Sequence, residues 1–141
     1  DFLPQSELER LSGELEFLKS MAGRIRHDED GLVWVPSIDE VITDFLDDRA
    51  RTVSDATFRR DERAMRLLRI YLLSCSEEAR QNPSEYFENT DFDELIAHLP
   101  GFPSFIRTAQ IVRTETEEKG ALTTANVFTR WLNDAGFMGP D

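Results

Sequence analysis

Leu8, Leu11, Leu15, Leu18, Ala22 and Ile25 alternate steps of three and four along the first part of the chain. That spacing lays one apolar seam along a helix and, over about three heptads, matches the a/d seam of a coiled coil. Ser6 is placed to cap this helix, with Glu7 and Glu9 in its first turn, where negative charge is favoured. The pattern predicts a helix over 6–27, weakened at Gly13 and Gly23 by up to about 1 kcal/mol each relative to Ala, and ended by Asp28-Glu29-Asp30-Gly31. Leu32-Val33-Trp34-Val35 is an apolar run stopped by Pro36. It reads as a brief strand or an extended strap over 32–35, since a single such run cannot make a sheet by itself.

Helical spacing then returns. Ser37 and Glu40 form a capping box that opens a helix over 38–50, with Ile38, Val41, Ile42, Phe45 and Leu46 on one side. Ser54 or Asp55 caps a helix over 55–77. Its second half, including Met65, Leu67, Leu68, Ile70, Tyr71, Leu72 and Leu73, is apolar nearly all round, the pattern of a central, buried helix. Asn82-Pro83 breaks the pattern, and residues 84–87 read as a turn or a short helix. Asp91 caps a helix over 92–99, stopped by Pro100-Gly101-Phe102-Pro103. Ser104 caps another from Phe105 to about Lys119, with Gly120 at its C-terminal end. The last helix begins at Thr123 or Thr124, turns Val127, Phe128, Trp131 and Leu132 inward, and stops at Gly136. About six helices with short connections predict an all-α fold, a compact bundle in one domain over 1–141. The first helix is free in this reading to protrude as a coiled-coil or docking helix, and Asp1 reads as the start of a piece of a longer chain.

Composition narrows the function. Of 141 residues, 40% are apolar and ten are Phe, enough for a real core. The 28 Asp and Glu against 16 Lys and Arg give a net charge of −12, spread over both halves, which disfavours nucleic acid. Among those bases Arg predominates, and Arg favours carboxylate pairing and interfaces. One Cys excludes an internal disulfide framework and a Cys-rich zinc site, and fits a cytoplasmic or other reducing compartment. No apolar run is long enough for a membrane span.

Candidate chemistry is thin. His27-Asp28-Glu29-Asp30-Gly31 invites a calcium loop, but Gly31 and Pro36 fall at the wrong places for one, so the stretch reads as a polar helix end and turn. Cys75 and His98 form a weak nucleophile pattern; Cys75, at the end of the most apolar helix, reads as a small buried hydrophobe. No phosphate-cradling glycine loop, zincin or hydrolase motif is present, and neither a metal nor a cofactor is expected. A DNA-binding helix-turn-helix in 104–137 is opposed by the acidic balance.

The reading reached is a non-enzymatic protein–protein interaction, regulatory or adaptor domain whose partner is another protein, or a second copy joined through residues 8–25. Candidate contact residues are Leu11, Leu15, Phe17 and Leu18 on the seam and Trp34 on the strap. Two charged stripes add to them: Asp39, Glu40, Asp44, Asp47 and Asp48 on one helix, and Arg59 and Arg63 on the next. The stripes either face each other or meet partners, the arginines an acidic or phosphorylated one. The alternative is an acidic inhibitor, an immunity-type protein or nucleic-acid mimic that neutralises a basic partner.

Overall fold

The computed structural model describes Arg10, residues 25–28 and residues 31–138. The helix expected over 6–27 does not reach its C-terminal boundary: Ile25–Asp28 is a strand, β1, paired antiparallel with β2, Gly31–Trp34. The strap has a partner after all, and Ile25 lies opposite Trp34 instead of closing a helical seam. Residues Leu8, Leu11, Leu15, Phe17, Leu18 and Ala22 lie outside the described residues.

From Ser37 onward the described chain is helical. α1 spans Ile38–Thr52 behind the expected capping box: Ser37 Oγ accepts from the Glu40 amide at 3.2 Å, and Glu40 Oε2 accepts from the Ser37 amide at 3.3 Å. α2 spans Asp55–Cys75, capped by Ser54. It stops two residues short of the expected 77 because Ser76 leaves helical geometry to cap α3, Glu77–Gln81. α4, Pro83–Asn89, carries its proline in the first turn, where a missing N–H costs nothing. α5 spans Phe92–His98 behind Asp91, and a 3₁₀ turn over Leu99–Gly101 follows.

The C-terminal third departs from expectation. The Pro100–Pro103 run is not a stop but the entry to α6, Phe102–Thr108. The chain then breaks at Ala109–Thr114 and resumes as α7, Glu115–Asp134, one continuous helix. Ser104 is inside α6, and Gly120 is mid-helix. The cap that decides the boundary is Thr114, whose hydroxyl accepts from the Glu117 amide at 3.1 Å. α7 ends as expected at Gly136. Its φ of +86° is left-handed, and the Gly136 and Phe137 amides donate to the Asn133 and Leu132 carbonyls at 3.1 and 2.9 Å, a Schellman closure.

The core lies where α1, α2 and α7 converge. Phe45 meets Phe128 and Trp131 edge-on at centroid distances of 4.8 and 5.5 Å, a geometry aromatic quadrupoles favour. Met65, Leu68 and Leu72 of α2 and Leu95, Phe102, Ile106 and Leu132 complete it, all buried. The link before α1 is pinned to the α4–α5 junction: the Ile38 amide donates to the Thr90 carbonyl at 2.9 Å and the Phe92 amide to the Pro36 carbonyl at 3.1 Å. Tyr71 ties α2 to α5, its hydroxyl donating to the His98 carbonyl at 2.7 Å. Among the described residues no helix is long and apolar enough to cross a membrane.

Candidate interaction surface

The arginines of α2 divide by what they meet. Asp61 is buried, and its carboxylate gathers three donors: Arg49 Nε of α1 at 2.7 Å, Thr124 Oγ1 of α7 at 2.8 Å and Arg60 Nη2 at 3.4 Å. Arg60 also donates Nε to Thr124 Oγ1 at 3.1 Å. A buried carboxylate is tolerable only when paired and fully hydrogen-bonded, so this knot explains why α1, α2 and α7 meet in one register. The Arg60 stem lies along α7 at Gly120, where an added Cβ would stand 3.4 Å from its Cγ and Cδ.

On the other side of α2 the packing stays open. A groove of about 510 Å³ runs between α2 and the first turns of α7, closed at one end by the Ala109–Thr114 link. Ala56, Ala64, Leu67, Ala121 and Gly120 lie along it, with Ile111 and Val112 from the link. Gln110, at a φ of +57°, turns the chain ahead of Ile111. Ile70 and Ile111 keep 43% and 42% of their surface in water, high for large aliphatic side chains beside each other. Arg60, Arg63 and Arg66 border the groove, with Glu117 as its one lining carboxylate. Arg63 and Arg66 are exposed, and no carboxylate among the described residues pairs with either.

The expected contact residues scatter. Arg63 lines the groove; Arg59 is exposed and is not among the lining residues. Trp34 ends β2. The acidic stripe of α1 does not face the Arg59–Arg63–Arg66 stripe. Asp39 pairs instead with Arg69 at 2.7 Å, Glu40 closes the capping box, and Asp48 leans on Arg51 at 3.7 Å. Asp44 and Asp47 are exposed, so the stripe is largely committed to the chain's own fold. Leu67, Ile70, Ile111, Val112 and Arg66 are the surface residues that sequence reasoning missed. The available signal was the all-round apolar half of α2: it has more apolar positions than its neighbours cover, and Leu67 and Ile70 are the surplus.

The other candidate chemistry does not converge. Cys75 is exposed at the end of α2 instead of buried. The residues Glu29 and Asp30 lie outside the described residues, and Asp28 and Gly31 are paired strand positions, not a helix end. Among the described residues no cluster of His, Cys, Asp and Glu is arranged to hold a metal ion. Tyr86 is buried, and its hydroxyl has no partner in hydrogen-bonding geometry. Burial first, and then the negative charge of Glu94, push its phenol above the ordinary 10.0. Tyr71 is likewise raised, by burial and by Cys75. Comparison with known proteins finds no matching family model, no matching characterised protein and no matching solved structure.

Proposed function

We propose that the chain is a protein-interaction or adaptor domain that receives an acidic, amphipathic helix of a partner protein in the α2–α7 groove. The observation that carries this reading is the pairing of exposed Ile70 and Ile111 with the uncommitted guanidiniums of Arg63 and Arg66. Apolar anchors at helical spacing would enter between the helices. Carboxylates flanking those anchors would meet the arginines, whose planar forks favour bidentate pairing. The groove follows α2 from Ala56 to Ile70, about 21 Å at 1.5 Å per residue, the length of four helical turns. Small residues, Ala56, Ala64, Gly120 and Ala121, let an incoming side chain sit deep.

The test uses a fluorescent synthetic peptide with Leu at alternating three- and four-residue spacing and Glu on both flanks. Anisotropy should report saturable binding that weakens with salt. Arg63→Glu with Arg66→Glu should weaken it at least about tenfold, in line with the effect of reversing charges at an interface. Binding that the double reversal leaves intact removes the groove from the function.

A further inference from the structure

We infer that the helix received by the groove is charge-polarised across its apolar stripe, acidic on the flank that meets α2 and basic on the flank that meets α7, and that Glu117 selects for this polarity and so fixes the direction in which the helix lies. The inference rests on the docking reading above and narrows the partner it describes. The two walls of the groove differ in sign. The α2 wall contributes Arg60, Arg63 and Arg66 and no carboxylate, while the α7 wall and the link contribute Glu117 and no base. Arg60 is engaged by Thr124 and Asp61, which leaves Arg63 and Arg66 as the available charges of one wall and Glu117 as that of the other.

Glu117 is held in place without being neutralised. Its Oε2 accepts from the Arg113 amide at 3.2 Å, and its own amide donates to Thr114 Oγ1 at 3.1 Å, so the carboxylate is anchored to the turn that starts α7. It is exposed, and no Lys or Arg among the described residues pairs with it. Glu115 and Glu118 in the same turn add negative charge to that side. A Lys or Arg on an incoming helix finds a charge-assisted partner there. A second acidic flank instead meets a like charge, the repulsive element by which an interface rejects a wrong partner.

Direction follows from the same asymmetry. A helix in the groove keeps its apolar stripe toward the floor whichever way it runs, but reversing it exchanges its flanks between the walls. When one flank is acidic and the other basic, one direction pairs both flanks and the other opposes both. Like charges at α2 and at α7 together suppress the reversed mode. A helix acidic on both flanks gains no such preference and forfeits the contact with Glu117.

The experiment compares two peptides with the leucine spacing above, one with Glu on one flank and Lys on the other, the second with Glu on both. Anisotropy should show the wild type favouring the polarised peptide. Glu117→Gln keeps an acceptor for the Arg113 amide and removes the charge; it should cut that preference at least about threefold, the scale of an exposed ion pair. A wild type without the preference overturns the inference. So does a preference of equal size in both proteins, which would come from the general charge of the chain. Cys75, the one cysteine, is exposed and lies along α2 about 8 Å beyond Ile70 and about 28 Å from Ala56. An acceptor dye there reads direction. Two polarised peptides that differ only in which flank is acidic, each with an N-terminal donor dye, should give high energy transfer in one case and low in the other; equal transfer overturns the fixed direction. The two levels remain distinguishable. If neither peptide binds, or Arg63→Glu/Arg66→Glu leaves both bound as before, the docking reading falls and this inference with it. If both bind through the arginines and Glu117→Gln changes nothing, the docking reading stands and the polarity alone is overturned.

Discussion

Arg60 and Arg63 stand one helical turn apart on the same helix and have opposite situations. Arg60 is folded into a knot with Asp61 and Thr124, its stem against the bare backbone of Gly120. Arg63 reaches into water at the edge of the groove without a carboxylate partner among the described residues. The difference lies in what each side of α2 must close against. Toward α1 and α7 the helix buries Asp61, Met65, Leu68 and Leu72, and burial obliges every polar atom there to find a partner. Toward the groove Ala64 is covered, but Arg63 and Arg66 stay exposed and Leu67 and Ile70 remain partly wet. One face of α2 holds the fold together, and the other stays open to water.

The comparison breaks most sharply at Asp61. Asp61→Ala removes the carboxylate that Arg49, Arg60 and Thr124 converge on. Breaking a buried ion pair costs about 3–5 kcal/mol. Both guanidiniums keep some contact with water, 18% and 29% exposed, so the loss should lie near the lower end, about 3 kcal/mol. Urea denaturation would read it as a lowered midpoint with an unchanged slope. A loss below about 0.5 kcal/mol, the range of ordinary surface substitutions, would mean that the knot does not organise the three helices.

Both faces were partly written in the sequence. The capping box at Ser37 and Glu40, the N-caps at Ser54 and Asp91 and the stop at Gly136 are local signals, and each lies where its residues predict. The break between α6 and α7 was misplaced because Gly120 resembles a helix end, while it lies mid-helix beside the stem of Arg60, sixty residues earlier. The strap's partner was missed because Ile25 also fits the heptad seam, and a single residue can satisfy both rhythms. The groove was the least legible element. Arg63 was picked out from a stripe of charge, but Ile111 and Val112 come from a link that was expected to be helix. Periodicity says which residues are apolar and not which of them run out of neighbours.

A second buried polar group sharpens the rule for the closed side. Tyr86 is only 6% exposed, and its hydroxyl lacks the partners that Asp61 has. Tyr86→Phe removes an unpaired hydroxyl and keeps the ring against Phe87. It should leave stability at neutral pH unchanged or raise it by about 1 kcal/mol. The pH dependence carries the sign. The folded-state phenol is held above its ordinary 10.0 by burial and then by Glu94. The stability tied to the protonated phenol is therefore fully present below that value and is lost as pH rises beyond it. The wild type should weaken above about pH 10 more steeply than Tyr86→Phe, which cannot ionise there. Parallel alkaline limbs in urea melts of the two proteins would show that Tyr86 is not shielded.

Gly120 belongs to both faces, and Gly120→Ala should separate them. Replacing a glycine inside a helix by Ala stabilises by about 0.5–1 kcal/mol. The added Cβ meets the Arg60 stem at 3.4 Å, an ordinary contact. For a chain of this size the gain is about 2–4 °C in Tm, measurable by calorimetry. The same methyl occupies the lining of the groove, so binding of the acidic peptide should weaken as stability rises. Moving both quantities in the same direction would contradict the division of α2 into a holding face and a receiving face.

The smallest expected effect on stability is at the rim. Arg63→Glu/Arg66→Glu adds four units of negative charge to a chain already at −12, yet neither arginine has a carboxylate partner among the described residues to lose. Surface substitutions away from packed or paired groups usually stay within about 0.5 kcal/mol. General repulsion at this net charge is screened beyond about 10 Å at moderate salt. The urea midpoint at moderate salt should therefore stay nearly where it is, while peptide binding falls at least about tenfold. The opposite outcome, a large loss of stability with binding intact, would move Arg63 and Arg66 to the side of Arg60. It would also leave the exposed aliphatic surface of Ile70 and Ile111 without a charge to orient what covers it.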